Sequence, residues 1–488
     1  MLRLTRSFVL AALIAAALLT GASSAAATAT EGRLARPLVI GSVASLSGDA
    51  SSYGRDQARG SSLAVAILGR DGGRLSMRGA DDRSQAGAAQ RAFRRLVEVP
   101  VGAIIGPTLS PVAEAADPIA TRAGVPVLAA TNTTMPIGRL PTVWRVGLAE
   151  EAMIPAAVGA ARDRYDFSRA GLLVDGADGY ARGAAAAFVR AARRDGVEIT
   201  SRVSFGTAGA TAEAAVASLL GAAPQSPPQV IFLAARSDAA VAALKAVRAA
   251  DPEVPLVGGN GFNSDAVIAA AGPAAKGLIV AAAWNRGIVH PRSLAFVRAY
   301  RKRYGTPPSA FSAQGYASVE VAAAAARLSG DASAAGVLRG LRHLGTLDTV
   351  LGPLRFDERR EARYPAAVQI VRDGHFTLLR RETSLRGSWT GLLHQRGMRP
   401  FRVWARIADP DGRAGNTVRY SGLGCRGHWT ALAAPGRAHR FTETITAGAG
   451  GSCKGSGTVT LRPTGDPNAL RYVFRGGGVT SSGILRRS

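Results

Sequence analysis

The sequence predicts an α/β protein with two parallel sheets, followed by a small antiparallel all-β domain. From Pro37 onward, short β-branched runs alternate with alanine-rich stretches, the order typical of a parallel sheet with helices on both faces. About ten such units are present, more than one ordinary lobe holds, so two sheets are expected. Near Leu385 the helix formers thin out, and Gly, Thr, Trp and both cysteines gather in a strand-and-turn pattern, which starts a further domain.

The periodicity also places individual elements. Strands are predicted at residues 38–42, 75–78, 101–105, 126–129, 171–174, 230–233, 255–257 and 278–281. Helices are predicted between them at residues 85–97, 111–123, 182–194, 238–249 and 291–304. The last hundred or so residues contain alternating runs such as FRVWARI and LRYVFRG, separated by turns. They predict a small barrel or sandwich, because a closed meander removes exposed strand edges.

The first 27 residues have the pattern of a secretory signal peptide. Arg3 and Arg6 precede an apolar run at residues 8–19 that is too short to span a bilayer, and small residues follow up to Ala27. The mature protein is therefore expected to be secreted or periplasmic, in the cell envelope, and soluble after cleavage. The net charge of +26 comes from arginines scattered along the chain, so no nucleic-acid partner is expected.

Collinear segments of the chain resemble one known family of binding proteins. They begin with IGSVASLSGDASSYGRDQARGSSLAVAIL and continue through VGAIIGPTLSPVAEAADPIA, AGVPVLAATNTTM, DGADGYARGAAAAFVRAARRDGVEI, LVGGNGFNSDAV and FVRAYRKRYGTPPSAFSAQGYASVEV. This run, over about residues 37–379, resembles the leucine/isoleucine/valine-binding proteins of ABC transporters, which have the type I periplasmic binding fold.

The resemblance implies two Rossmann-like lobes with a hinge, which close around a small ligand. Lobe one is expected at residues 37–146 and 284–345, lobe two at 147–283 and 346–381, and the C-terminal domain at 385–488. The partner implied is an ABC permease in the membrane. A monomer without a cofactor and without enzymatic activity is expected.

The resemblance also implies ligand contacts in lobe one. Ser110 starts a predicted helix before Pro111, where free backbone N–H groups favour an anion, and the resemblance puts the ligand carboxylate there. The alternative is a serine that only caps the helix. Ala129, Ala130 and Thr131 end the next strand, where the family offers a carbonyl and a hydroxyl to the ligand. The alternative for these three residues is a plain polar strand end.

Aromatic residues at family positions complete the expected site. Tyr53 and Phe311 from lobe one and Tyr180 from lobe two match positions that line the ligand cleft, although a single aromatic residue is more often part of a core. Tyr53 lies in a Gly- and Ser-rich loop, which favours the binding role.

One departure from the family pattern bears on the ligand. Asn260 stands where the family has a carboxylate that pairs with the ammonium of an amino acid. Either Asp238 or Asp178 supplies the missing charge, or the ligand is not an α-amino acid but an amide or an organic acid. Leucine, isoleucine and valine are then expected to bind weakly.

Other functions have less support in the sequence. The sequence has no G-x-S-x-G elbow, no H-E-x-x-H, no phosphate loop and no metal-ligand cluster. A ligand sensor is the nearest alternative, and a hydrolase or adhesin acting through the C-terminal domain is another. That domain is either a stabilising or wall-attaching appendage or a second ligand site. Cys425 and Cys453, the two cysteines of an exported chain, are predicted to form a disulfide rather than two free thiols.

Overall fold

A computed structural model describes residues 34, 36–70, 74–207, 209–379, 385–408, 415–432, 439–448, 453, 456–464, 466 and 468–488. The predicted signal peptide lies outside the described residues. The chain divides into two compact units: the first holds the described residues up to Ala149 plus Ile288–Pro365, and the second holds Glu150–Gly287 plus Ala366–Ser488.

Across the described parts of the chain, no helix combines the length and the apolar character that crossing a membrane requires.

The elements follow one another in the predicted alternation. The chain begins with β1 (Leu38–Ala44), α1 (Ser51–Leu68), β2 (Leu75–Asp81), α2 (Ala86–Val97), β3 (Ala103–Ile105), α3 (Ser110–Arg122), β4 (Val127–Ala129) and β5 (Val143–Arg145). It continues with α4 (Glu150–Tyr165), β6 (Arg169–Asp175), α5 (Gly179–Arg194), β7 (Glu198–Phe205), α6 (Ala212–Gly221), β8 (Val230–Ala234), α7 (Ser237–Ala250), β9 (Leu256–Gly258), α8 (Asp265–Ala271) and β10 (Ile279–Ala282).

The second half of the chain returns to the first unit and then to the second. These elements are α9 (Pro291–Tyr304), α10 (Ala310–Ser329), α11 (Ala334–His343), β11 (Leu347–Thr349), β12 (Gly352–Phe356), β13 (Ala362–Arg363), β14 (Ala367–Arg372) and β15 (His375–Leu378). The C-terminal strands are β16 (Gly387–Gln395), β17 (Phe401–Ile407), β18 (Thr417–Ser421), β19 (Cys425–Leu432), β20 (His439–Ala447), β21 (Ser456–Pro463), β22 (Ala469–Gly476) and β23 (Val479–Arg487).

The first unit is built on a parallel sheet with strand order β2-β1-β3-β4-β5. Its inner strands β3 and β4 are fully buried, as apolar runs covered by helices on both faces should be, and the edge strand β5 is buried as well. Helices α1 and α10 approach closely at small residues: a Cβ on Gly60 would lie 1.8 Å from the Ser312 carbonyl oxygen, and one on Gly315 would lie 2.2 Å from that of Gln57. This contact fixes the position of α1.

The second unit contains a sheet with strand order β15-β14-β10-β9-β8-β6-β7. Strands β6 to β10 are parallel, and β14 and β15 add an antiparallel edge. The two parallel α/β sheets predicted from the sequence are thus both present.

Residues 346–365 differ from the expected lobe assignment, because they belong to the first unit and not to the second. A buried hydrogen bond explains their position: the Val350 N–H donates to the Glu320 carboxylate of α10 over 3.0 Å. Further along, Glu361 forms an ion pair with Arg145 at the end of β5, with 2.7 Å between Oε2 and Nε.

The C-terminal domain is a closed barrel of strands β16 to β23, each antiparallel to the next. Pairing of β16 with β23 closes it. Alternate residues point inward and form a core that includes Trp389, Trp429 and Phe441, each 0% exposed. The predicted disulfide links Cys425 to Cys453, whose Cα atoms are 6.4 Å apart. Of the two predicted architectures, the barrel is therefore the one formed.

Glu320 predicts a pH dependence for the first unit. Burial raises the pKa of Glu320 to about 7, so the folded state holds a proton that the unfolded state releases near pH 4.5. The free energy of unfolding contributed by this group therefore falls as the pH rises between these values, by about 3 kcal/mol. Urea titrations of wild type and Glu320→Gln should converge near pH 4, and the variant should be more stable at pH 8.

The matched control is Glu358→Gln, which changes an exposed glutamate of the same unit. Equal pH profiles for wild type and Glu320→Gln would contradict this account of Glu320.

Candidate ligand-binding residues

In the first unit, polar residues gather where the order of the parallel strands reverses. Ligands of open α/β sheets bind outside the carboxyl ends of the strands at such a reversal, which here falls between β1 and β3. Ser45 follows β1 and Thr108 follows β3, and the Ser45 N–H donates to Thr108 Oγ1 over 3.0 Å. The Ser45 hydroxyl donates to the buried Asp82 over 2.6 Å, and burial raises the pKa of Asp82.

Gln57 of α1 joins these loops to Thr131. Its Oε1 accepts hydrogen bonds from Thr108 Oγ1 at 3.2 Å and from Thr131 Oγ1 at 2.9 Å. Thr131 Oγ1 also lies 2.8 Å from the Thr108 carbonyl oxygen. Gln57 is 0% exposed and Thr131 5% exposed. The sequence did not reveal Gln57, because a glutamine inside a helix is usually a surface residue.

Ser110 is not a helix cap. The N-cap of α3 is Leu109, and Ser110 is the first helical residue. The hydroxyl of Ser110 accepts hydrogen bonds from the N–H groups of Thr133 and Thr134, at 3.1 and 3.2 Å. It thereby ties the loop after β4 to the start of α3. A serine hydroxyl that accepts in this way still carries a proton that it can donate.

The loop after β4 is also held by its carbonyl groups. The guanidinium of Arg145 donates to the carbonyl oxygens of Asn132 and Met135. The side-chain amide of Asn132 donates to the Pro107 carbonyl oxygen over 2.7 Å. Because these bonds and those of Ser110 fix the loop from both sides, Thr131 is held in one place.

The other residues expected in lobe one are buried. Ala129 and Ala130 are 0% exposed, and the Ala129 carbonyl oxygen accepts from the N–H groups of Val146 and Gly147. Tyr53 and Phe311 are 3% and 4% exposed, and their ring centroids lie 5.0 Å apart. These two aromatics thus contact each other.

In the second unit, strand order reverses between β6 and β8, and an ion pair lies at that point. Arg236, which follows β8, donates to Asp178 Oδ2 over 2.8 Å. Asp178 Oδ1 accepts from the Ala181 N–H at the start of α5. The charge of Asp178 is therefore balanced within the unit, while Asp238, the other carboxylate considered from the sequence, is exposed.

A buried carboxylate, Glu150, lies next to Asn260. It is 1% exposed, and its Oε1 accepts from the Tyr180 hydroxyl at 2.7 Å and the Asn260 N–H at 3.0 Å. The Tyr180 oxygen accepts in turn from the Gly261 N–H at 2.6 Å. Sequence reasoning missed Glu150, because an acidic residue in the first turn of a helix is ordinary there.

Two further features keep this network compact. The Asn260 side-chain oxygen accepts from Asn263 Nδ2 over 3.2 Å, and Asn263 accepts from Gln369 over 2.6 Å. A Cβ on Gly261 would lie 2.2 Å from the Ala235 carbonyl oxygen, so only glycine fits against the loop after β8.

A family model described as "Periplasmic binding protein" matches residues 37–375. The chain belongs to this family of periplasmic binding proteins. The match ends before the barrel begins at Gly387, so the barrel of this binding protein is an addition to the family fold. No curated protein matches the chain.

Solved structures similar to this periplasmic binding protein include substrate-binding proteins of transporters that were solved with amino acids. One, from Streptococcus pneumoniae, was solved with isoleucine: it is 23% identical, with a TM-score of 0.64 over 70% of this chain and 98% of its own. Another, from Desulfitobacterium hafniense, was solved with leucine: it is 25% identical, with a TM-score of 0.61 over 70% of this chain and 100% of its own.

A third similar structure was solved with a different kind of ligand. It is a solute-binding protein of R. palustris in complex with benzoate, 22% identical, with a TM-score of 0.62 over 70% of this chain and 96% of its own. The fold is therefore shared by proteins solved with amino acids and by proteins solved with aromatic acids.

Proposed function

We propose that this periplasmic binding protein is an extracytoplasmic solute-binding protein, which captures a small carboxylate or amide without an α-ammonium group by lobe closure and delivers it to an ABC permease. Asn260 carries the proposal, because an amide cannot balance the charge of a buried ammonium. Ser110 and Thr131 are the proposed carboxylate contacts, and Tyr53, Phe311, Tyr180, Ala129 and Ala130 the surrounding ones.

The neighbouring ion pair supports this ligand class. Asp178, a nearby carboxylate considered from the sequence, is paired with Arg236, so its charge is already balanced within the unit. The benzoate complex shows that the fold accepts an acid without an amine.

The experiment compares leucine, isoleucine and valine with 4-methylpentanoate, 4-methyl-2-oxopentanoate, benzoate and simple amides, by thermal shift and calorimetry. Loss of the charge partner should weaken leucine by about 2 to 5 kcal/mol, which is at least roughly thirty-fold. A preferred ligand at about one hundred times its dissociation constant should stabilise the protein by about 2.7 kcal/mol.

Asn260→Asp restores the family charge and is expected to shift preference toward leucine. Asn468→Asp, which adds the same charge at an exposed position of the barrel, is the matched control and should shift nothing. Tight leucine binding by wild type that survives Asn260→Ala would overturn the ligand class.

A further inference from the structure

The C-terminal barrel contains a pocket at one end. Its cavity volume is about 40 Å³, and since a single water needs roughly 10 to 15 Å³ by this measure, a few heavy atoms fit. The pocket lies at the end of the barrel where β16 connects to β17, β18 to β19, β20 to β21 and β22 to β23. Its lining residues include Gln395, Tyr420, Glu443, Tyr472, Phe474 and Ser481. The chain enters the barrel at the opposite end, near Leu385.

Glu443 is the unusual member of this lining. It occupies an inward position of β20, between the buried side chains of Phe441 and Ile445, and is itself 3% exposed. Its Oε2 accepts from Trp429 Nε1 over 2.7 Å and from the Tyr420 hydroxyl. The Tyr420 oxygen lies 3.0 Å from the Tyr472 hydroxyl oxygen. Oε2 of Glu443 therefore accepts two hydrogen bonds from side chains of the barrel.

The second oxygen, Oε1, accepts no hydrogen bond from any residue that the structure describes. The described residues that line the pocket include no lysine and no arginine, although arginines are abundant on the outer face of the barrel. Burial raises the pKa of Glu443, because withdrawal from water disfavours the charged carboxylate. A buried carboxylate is usually paired, but Glu443 has no positively charged partner among the described residues that line the pocket.

We propose that the barrel pocket is a second ligand site, which takes a small ammonium compound. The N–H of the ammonium group donates to Glu443 Oε1, and the rings of Tyr420, Tyr472 and Phe474 surround the remainder. Aromatic faces attract cations, and a carboxylate beside them supplies the opposite charge. The site lies beyond the family match, which ends at residue 375, and is independent of the ligand proposed for the two α/β units.

The test follows the Trp429 indole N–H, which bonds to Glu443 directly, by NMR of the ¹⁵N-labelled full chain, with the resonance assigned through Trp429→Phe. Methylammonium, ethylammonium and butylammonium chlorides are titrated against ethanol, butanol and sodium acetate. A saturable shift of this resonance with an alkylammonium, and not with the alcohols or acetate, is expected. Glu443→Gln should weaken that binding at least about tenfold.

Asp466→Asn is the matched control, since Asp466 is an exposed carboxylate of the same barrel, and it should bind as wild type does. Val479→Trp fills the pocket and keeps Glu443, and it should also abolish the shift. If Glu443→Gln does not fold, binding by Val479→Trp tests the proposal instead. The proposal fails if no alkylammonium gives a saturable shift up to about 50 mM, if the alcohols bind equally, or if folded Glu443→Gln binds unchanged.

Discussion

Ser110→Ala is expected to weaken binding of the natural ligand by about 2 to 5 kcal/mol, which corresponds to between roughly thirty-fold and several thousand-fold. Thr131→Ala should weaken binding of the natural ligand by an amount in the same range. Each residue is proposed to satisfy a charged ligand group withdrawn from water, and each is tied into the network around Gln57 or the loop after β4. The loss therefore combines a missing ligand contact with a less ordered site.

Calorimetry on both variants measures the effect. Ser333→Ala is the matched control, because Ser333 caps α11 by accepting from the Gly336 N–H. Its removal should lower stability by about 1 kcal/mol and leave affinity unchanged. Binding within about twofold of wild type by both Ser110→Ala and Thr131→Ala would show the site assignment to be wrong.

Removing the disulfide is expected to destabilise the barrel by about 3 to 4 kcal/mol. The bond joins residues 28 positions apart, and opening that loop restores conformational freedom to the unfolded chain. The variant with both Cys425→Ser and Cys453→Ser should unfold at a lower denaturant concentration when followed through tryptophan fluorescence.

Ser456→Ala, an exposed change in the following strand, is the control for this experiment. An unchanged unfolding midpoint in the double variant, or two reactive thiols per chain in the denatured and unreduced protein, would contradict the disulfide.

Much of the fold follows from local pattern. Buried central strands such as β6 and β8 are apolar runs and were predicted from their composition. Of strands β1 to β10, two were missed: β5, which has only three residues, and β7, an edge strand whose partly exposed sequence EITSRVSF lacks the apolar run of a central strand. Closure of the barrel through β16 and β23 depends on residues nearly the whole domain apart, so the sequence left barrel and sandwich equally open.

In the candidate site, too, some residues could be predicted from local sequence and others could not. Ser110 and Thr131 were predicted through a resemblance that covers local segments. Gln57 and Glu150 were missed because their contacts are long-range: Gln57 and Thr131 are 74 positions apart in the sequence, and Glu150 and Asn260 are 110 positions apart. The pairing of Asp178 with Arg236, 58 residues away, was likewise not apparent from the sequence, and it removes Asp178 as a source of the missing charge.

The ligand that co-purifies with the full-length protein tests the central claim most directly. Mass spectrometry of the small molecules released by denaturation should show a small carboxylate or amide without an α-ammonium group, near one molecule per chain. Its affinity should fall in Ser110→Ala and stay unchanged in Ser333→Ala. Release of leucine, isoleucine, valine or another α-amino acid at that stoichiometry would contradict the account.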